Sequence, residues 1–285
     1  MLTYGVDIGG SKISLGKVRR GVVMQRITLP NTFFGDPDAM VEAIVRLLPQ
    51  LCEGTLPHSI GFGCPGWVVD GVVYEAINLG ISTYPLQKAL QAAGIMGVYV
   101  ENDARCALLA ELNFGALRDC TNAAMVTFGT GVGGALAFER KLYKGSFGYA
   151  GEIGHMTLES TGDCLCGKRG CYEMTAAVPA LLQLSRAQGL NVADGQELFN
   201  AAWAGDSRAL KAIASYLPLA ARGVTELSML LDLDMICIGG AISTQKALFV
   251  DPLFRMVAEF NHRCKIVPAV HLNDAGILGA AELSV

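Results

Sequence analysis

Two glycine turns, each between a pair of short apolar strands, constrain this chain more than any other feature. Leu2 to Ile8 reads as a strand with Asp7 near its end, Gly9 and Gly10 form a turn, and Ile13 to Val18 returns. The pattern recurs at Ala123 to Phe128, the turn Gly129-Thr130-Gly131-Val132-Gly133-Gly134, and Ala135 to Glu139, with Gly129 standing 120 residues after Gly9. Neither turn is G-x-G-x-x-G or G-x-x-x-x-G-K-[ST], so neither is a dinucleotide or P-loop fingerprint. Backbone amides in such turns can cradle phosphate. Two hairpins of this kind could grip a polyphosphate from both sides, although either alone is equally an ordinary turn.

A second feature lies between Gly151 and Glu173, where one histidine, three cysteines, three glutamates and five glycines are packed together. His155 is followed by Cys164, Cys166 and Cys171 at steps of 9, 2 and 5. One imidazole and three thiolates are the ligand set of a tetrahedral structural zinc. Gly167 and Gly170 allow the tight turn that brings the last two sulfurs to one ion. With all four positions filled by protein the metal has no open place for chemistry. The expected role is to hold a loop rigid while Glu152, Glu173 and the His155 edge face a polar ligand; carboxylates suit a polyol because they accept hydrogen bonds from hydroxyls.

The remaining pattern alternates strands and helices. Asp36-Pro37-Asp38 opens an amphipathic helix reaching Leu51. Ser59 to Phe62 is a buried strand, and Asp70-Gly71 marks a hairpin. Asn78-Leu79-Gly80 is a loop. Val98-Tyr99-Val100 stops on Glu101-Asn102-Asp103, and a helix follows from Ala104 to Leu112. Polar residues at the carboxyl end of a buried strand sit where α/β sheets place ligands; Asp103 could also be simply the helix N-cap. Beyond Glu173 helices are expected at Ala176–Gln188, Gln196–Ala204 and Asp206–Asp232, the last kinked or split by Pro218. Met235 to Ile238 is a buried strand ending in Gly239-Gly240, and Asp274 to Ala281 starts a last helix of small residues.

Composition narrows the class. The 285 residues are 52% hydrophobic and 17% charged, with a net charge of −4. That describes a globular chain of about two domains without a nucleic-acid footprint. The start has no signal-peptide pattern, no apolar run is long enough to span a membrane, and the other six cysteines have no paired spacing. The expectation is a reduced, cytoplasmic protein.

Taken in order, these motifs resemble the ROK family of sugar kinases and related repressors, within the actin/hexokinase-like ATPases. The residues that carry the resemblance are DIGGSK (Asp7 to Lys12), ENDA (Glu101 to Ala104), GTGVGG (Gly129 to Gly134), GEIGH (Gly151 to His155), CLCGKRGCYE (Cys164 to Glu173), IGGA (Ile238 to Ala241) and DAGILGAA (Asp274 to Ala281). The resemblance implies a two-domain, actin-like (ribonuclease H-like) α/β fold with ATP and sugar in a cleft between the domains. The expected division is 1–103 plus 274–285 for the smaller domain and 104–273 for the larger. By the same resemblance Asp7, Gly9, Gly10, Ser11, Lys12, Thr130, Gly131 and Gly133 handle phosphates and Mg2+, and Gly239 and Gly240 border the adenosine. Asp103 is the general base. Asn78, Asn102, Asp103, Glu152, His155 and Glu173 bind sugar hydroxyls, and His155, Cys164, Cys166 and Cys171 hold zinc.

The expected activity is ATP-dependent phosphorylation of the 6-hydroxyl of an aldohexose or N-acylhexosamine, with a lean towards glucose or N-acetylmannosamine, by a homodimer. The alternative is a non-catalytic, sugar-binding regulator. The DNA-binding regulators of the family carry an added N-terminal helix-turn-helix, whereas here the first glycine turn begins at once. Two positions depart from the family pattern. Arg105 stands where Asn is common after ENDA, and Met174-Thr175-Ala176 replaces an Ala-Ser-Gly after Glu173.

Overall fold

The computed structural model describes residues 2–52, 54 and 56–285. They form two compact units, Met1–Arg118 with Lys144–Ala150 and Asn273–Val285, and Asp119–Tyr143 with Gly151–Leu272. Among the described residues no helix is long and apolar enough to cross a membrane.

The first unit contains strands β1 (Leu2–Ile8), β2 (Lys12–Arg19), β3 (Val22–Pro30), β4 (Ser59–Cys64), β5 (Trp67–Val69), β6 (Val72–Ala76), β7 (Ile81–Tyr84) and β8 (Gly97–Asn102). Five of them form one sheet in the order β3-β2-β1-β4-β8, while β5-β6-β7 form a small second sheet. β1, β2 and β3 pair antiparallel; β1, β4 and β8 pair parallel. Helix α1 (Pro37–Leu51) begins where Asp36 Oδ1 accepts the Ala39 N–H at 3.0 Å. With α2 (Leu86–Ala92) it covers one sheet face, burying Met40, Ile44 and Leu48 against Val6, Ile8, Ile60 and Phe62.

Helix α3 (Asp103–Phe114) and the C-terminal helix (Ala275–Glu282) cover the other face. The approach there is closer than side chains permit. A Cβ at Gly5 would stand 2.1 Å from the Ile277 carbonyl oxygen, one at Gly61 1.8 Å from that of Ala280, and one at Gly279 1.7 Å from that of Cys106. Small residues let the last helix wedge between the sheet and α3. For this reason α3 lies in the first unit, although a second domain was expected to begin at residue 104: Ala110 packs with Ala275, Ile277 and Leu278 of the C-terminal helix.

The second unit repeats the plan. Its strands β9 (Ala123–Phe128), β10 (Val132–Phe138), β11 (Lys141–Leu142), β12 (Met235–Gly239) and β13 (Lys265–Pro268) lie in the order β11-β10-β9-β12-β13. Again the first three pair antiparallel and the others parallel to β9. The duplicated strand–glycine turn–strand is therefore the centre of a duplicated sheet.

Five helices, α4 (Glu173–Ala176), α5 (Val178–Ala187), α6 (Gly195–Trp203), α7 (Ser207–Leu231) and α8 (Asp251–Ala258), pack on this sheet around Phe128, Tyr172, Tyr216 and Phe249. The helix expected from Ala176 is broken at Ala177, which is extended (ψ 157°) as the N-cap of α5, with Pro179 in the first turn of that helix. Pro218 does not split α7, which runs unbroken for 25 residues. An interior proline costs about 3 kcal/mol, but this helix buries eleven residues on both sides of it. It is also held across the proline by Tyr216 Oη on the Ala176 carbonyl and Tyr172 Oη on that of Ala220.

Candidate functional site

In the first unit the polar groups gather at the ends of β1 and β8. Asp7 is the next-to-last residue of β1, and the Gly9 N–H donates to the Lys12 carbonyl at 2.9 Å to close the turn after it. Asn31 Nδ2 donates to the Gly9 carbonyl at 2.7 Å. Gly10 lies against Asn78, whose carbonyl oxygen would be 3.2 Å from a Cβ there. Asn78 sits on a single 3-10 turn, Ile77–Leu79, and is exposed, as are Ser11 and Lys12.

At the end of β8 the cap of α3 is Asn102 and not Asp103. Asn102 Oδ1 accepts the Arg105 N–H at 3.1 Å, and its Nδ2 donates to the Gly66 carbonyl at 2.8 Å. Asp103 is spared the capping task; its Oδ1 accepts the adjacent Ala104 N–H at 2.7 Å. Burial raises the Asp103 pKa, opposed by the Ala104 amide and by Asn102. Asp7 is pushed up to about 6, first by burial and then by the charge of Asp103, with Lys12 and Arg26 opposing. A carboxylate raised by desolvation and by the charge of a second carboxylate is poised to receive a proton or a cation.

The second unit holds the cysteine-rich loop. His155 ends a 3-10 turn, and Thr157 bridges to Cys171, closing the loop at its base. Gly167 and Gly170 both have left-handed φ (82° and 77°), and the Gly167 N–H returns to the Cys164 carbonyl at 3.0 Å. One donor atom from each of His155, Cys164, Cys166 and Cys171 lies within 4.8 Å of all the others. Cys166 and Cys171 are 3.6 Å apart at sulfur, and Cys164 Sγ is 3.7 Å from His155 Nδ1. Two ligands each about 2.3 Å from a tetrahedral ion stand about 3.7 Å apart. The residues present therefore fit a structural zinc.

Glu173 links this loop to the second glycine turn. Its Oε1 is 3.1 Å from Cys164 Sγ and 3.7 Å from His155 Nδ1, while its Oε2 accepts the Val132 N–H at 3.4 Å. A Cβ at Gly131 would stand 2.8 Å from the same oxygen. Gly129 is different: a Cβ there meets nothing within 4 Å, and φ is not left-handed. Nothing in the fold requires glycine at that point, as would be the case where a ligand lies against the backbone. Thr130 is exposed beside it, and Gly133 pairs with Thr127 inside the hairpin. Gly240 (φ 82°) turns the chain beyond β12, and Gly239 ends that strand alongside Thr127. Glu152 is exposed at the start of the 3-10 turn that ends in His155.

The structure thus brings together Asp7, Gly9, Gly10, Asn78, Asn102 and Asp103 in one unit, and the metal set, Glu173 and the 129–134 turn in the other. Sequence reasoning missed Glu101 and Lys144, which form ion pairs within the first unit, and it noted Arg105 only as an oddity. A Glu four residues before an Arg was the available signal, but the strand-to-helix boundary between them hid it.

Comparison with known proteins places this geometry. The sequence profile described as ROK family matches residues 3–285. A glucokinase of Streptomyces coelicolor is 32% identical over 99% of this chain and 97% of its own length. An N-acetylmannosamine kinase of Vibrio cholerae is 31% identical over 99% and 98%. The crystal structure of a ROK family glucokinase from Streptomyces griseus, in complex with glucose and AMPPNP, superposes with a TM-score of 0.85, at 30% identity and 99% coverage of both chains. The two-unit α/β fold is accordingly that of the actin-like ATPases. With a full-length profile match and relatives that share its whole extent, this chain belongs to the ROK family.

Proposed function

We propose that the chain is an ATP-dependent sugar kinase acting on the 6-hydroxyl of an aldohexose or N-acylhexosamine, glucose or N-acetylmannosamine. The observation that carries it is Asp103: a carboxylate at a strand end, relieved of capping by Asn102, with its pKa raised by burial. A sugar hydroxyl is a poor nucleophile, and a carboxylate of raised basicity within hydrogen-bond reach takes its proton as transfer proceeds. The full-length similarity to glucokinases and to an N-acetylmannosamine kinase supports the substrate class.

Phosphoryl transfer depends on positioning and charge neutralisation. In this reading the amides of Gly9, Gly10, Gly131 and Gly133, with Ser11, Lys12 and Thr130, hold phosphate oxygens. The open face of Gly129 leaves room for them. Asp7 fits Mg2+, which when bound neutralises phosphate charge; burial beside Asp103 leaves Asp7 a carboxylate in need of a cation. Gly239 and Gly240 border the adenosine. Asn78, Asn102, Glu152, His155 and Glu173 hold sugar hydroxyls, and zinc on His155, Cys164, Cys166 and Cys171 keeps their loop rigid. No disulfide joins any of the nine cysteines, which suits a reducing cytoplasm. We take the assembly to be a homodimer, which sedimentation would check.

The test is an ADP-release assay over a panel of hexoses and N-acylhexosamines, with Mg-ATP and protein of verified zinc content. Turnover with one sugar far above the others names the substrate. Sugar binding without turnover in zinc-replete protein would replace the kinase with a sensor.

A further inference from the structure

Among the described residues Arg105 is the largest fully buried side chain, 2% exposed, and its partner Glu101 is 1% exposed. The pair joins Arg105 Nη1 to Glu101 Oε1 at 3.0 Å. Arginine keeps its charge at any accessible pH, and a buried ion pair costs more than it returns unless hydrogen bonds complete it. Here the bonds that complete the guanidinium go to one segment. Arg105 Nη2 donates to the carbonyls of Gly148 and Ala150, the latter at 2.9 Å. Lys144 Nζ reaches the second oxygen of Glu101. Both ends of the segment Lys144–Ala150 therefore converge on the same buried pair.

This segment is a short excursion. The chain belongs to the second unit up to Tyr143 and again from Gly151, but these seven residues pack with the first. The Ala150 N–H closes it into a loop on the Lys144 carbonyl at 3.2 Å. Tyr149 lies over Trp67 with ring centroids 4.7 Å apart, and Gly148 is so close to β5 that a Cβ would stand 2.7 Å from Val69 Cγ2. The anchor is also tied to the candidate site, because Glu101 Oε1 accepts the Asn102 N–H at 2.8 Å, one residue before Asp103. Two residues beyond Ala150 comes Glu152.

We propose that Arg105 is a positioning residue: with Glu101 it clamps the Lys144–Ala150 segment to the β8–α3 junction, and so fixes where the chain departs towards Glu152 and His155 for sugar binding. An asparagine at this position would have too short a side chain to span the same distance. Its consequence for sugar binding rests on the reading of Asp103 and Glu152 given above; the clamp itself does not.

The experiment uses the full-length, zinc-replete protein and the variants Arg105→Lys, which keeps the charge but loses the fork, and Arg105→Asn. Hydrogen exchange of the 145–150 amides is expected to quicken about tenfold in both variants while β9 and β12 are unchanged. The KM for sugar is expected to rise roughly tenfold with the KM for ATP within about twofold. Millimolar guanidinium should partly restore sugar KM in Arg105→Asn. Unchanged exchange in the segment would overturn the clamp, as would a uniform quickening with both KM values shifted alike, which would mark a general stabilising residue. Should Arg105→Asn fail to fold, Arg105→Lys decides alone. Should the wild type turn over no sugar, the kinase reading fails while the exchange measurement still decides the clamp.

Discussion

The two glycine-turn hairpins share a topology and differ in what surrounds them. In β1 the next-to-last residue is Asp7; in β9 the same place is held by Thr127. The first turn lies near a half-buried pair of carboxylates and under a helix pressed against the strand, where a Cβ at Gly276 would stand 2.5 Å from the Asp7 carboxyl carbon. The second has an open face at Gly129, and its carboxylate is borrowed from the cysteine-rich loop, Glu173 leaning on the Gly131–Val132 backbone. One copy of the repeat concentrates charge and permits no slack. The other leaves space and leans on Glu173 of the His/Cys loop.

The largest test of that division is Asp103→Asn. It should reduce turnover by about 10²–10⁴-fold while sugar affinity, followed by calorimetry, and melting temperature stay close to wild type. Loss of affinity in step with turnover would remove Asp103 from the role of base.

Next come the ligands of the metal loop. Cys171→Ser and His155→Ala should take zinc from one per chain to less than about 0.1 under dialysis against a mild chelator, since a three-ligand site binds far more weakly. Sugar affinity should fall by at least about tenfold through the loosened Glu173 and His155. Full zinc occupancy in His155→Ala would show that the histidine is not a ligand.

The two hairpins can also be compared directly by adding one methyl group to each. Gly276→Ala forces a contact on Asp7 and should cost about 1–3 kcal/mol of unfolding free energy. Gly129→Ala meets no protein atom, so stability should change by less than about 0.5 kcal/mol, while the KM for ATP rises. Equal stability losses would erase the proposed distinction between the two turns.

The smallest effect is in pH. Asp7 titrates near 6 in the folded chain against about 3.9 unfolded. The folded state therefore holds the extra proton between those values, and the group lowers stability as pH rises from about 4 to about 6. Asp7→Asn should melt at a higher temperature than wild type above pH 6, and the gain should vanish near pH 4. Activity, which needs the charged carboxylates, should fall on the acid side of about pH 6.

Much of this was readable in the chain. The glycine turns announced both hairpins because a tight turn between apolar runs leaves few alternatives. The His-Cys spacing announced a metal loop because ligand chemistry is local, and the Asp70-Gly71 hairpin has the left-handed φ values, 50° and 75°, that such a pair favours. The edge strands β3 and β13 carried less signal. β3 is exposed along most of its length, so it lacks the strict alternation that marks a half-buried strand. Pro218 misled because propensity is a local cost, and the packing of α7 exceeds it.

The sequence by itself determined the family, the duplicated hairpins and the candidate metal and base residues, since each is written in residues near one another along the chain. Tertiary structure alone decided that Asn102 and not Asp103 caps α3, that α3 belongs with the C-terminal helix, and that Arg105 and Lys144 meet on Glu101. Those outcomes depend on groups as far apart in the chain as Cys106 and Gly279, 173 residues, being brought into contact. Close approach of backbone, and the burial that follows, is a property of the folded shape that no local pattern encodes.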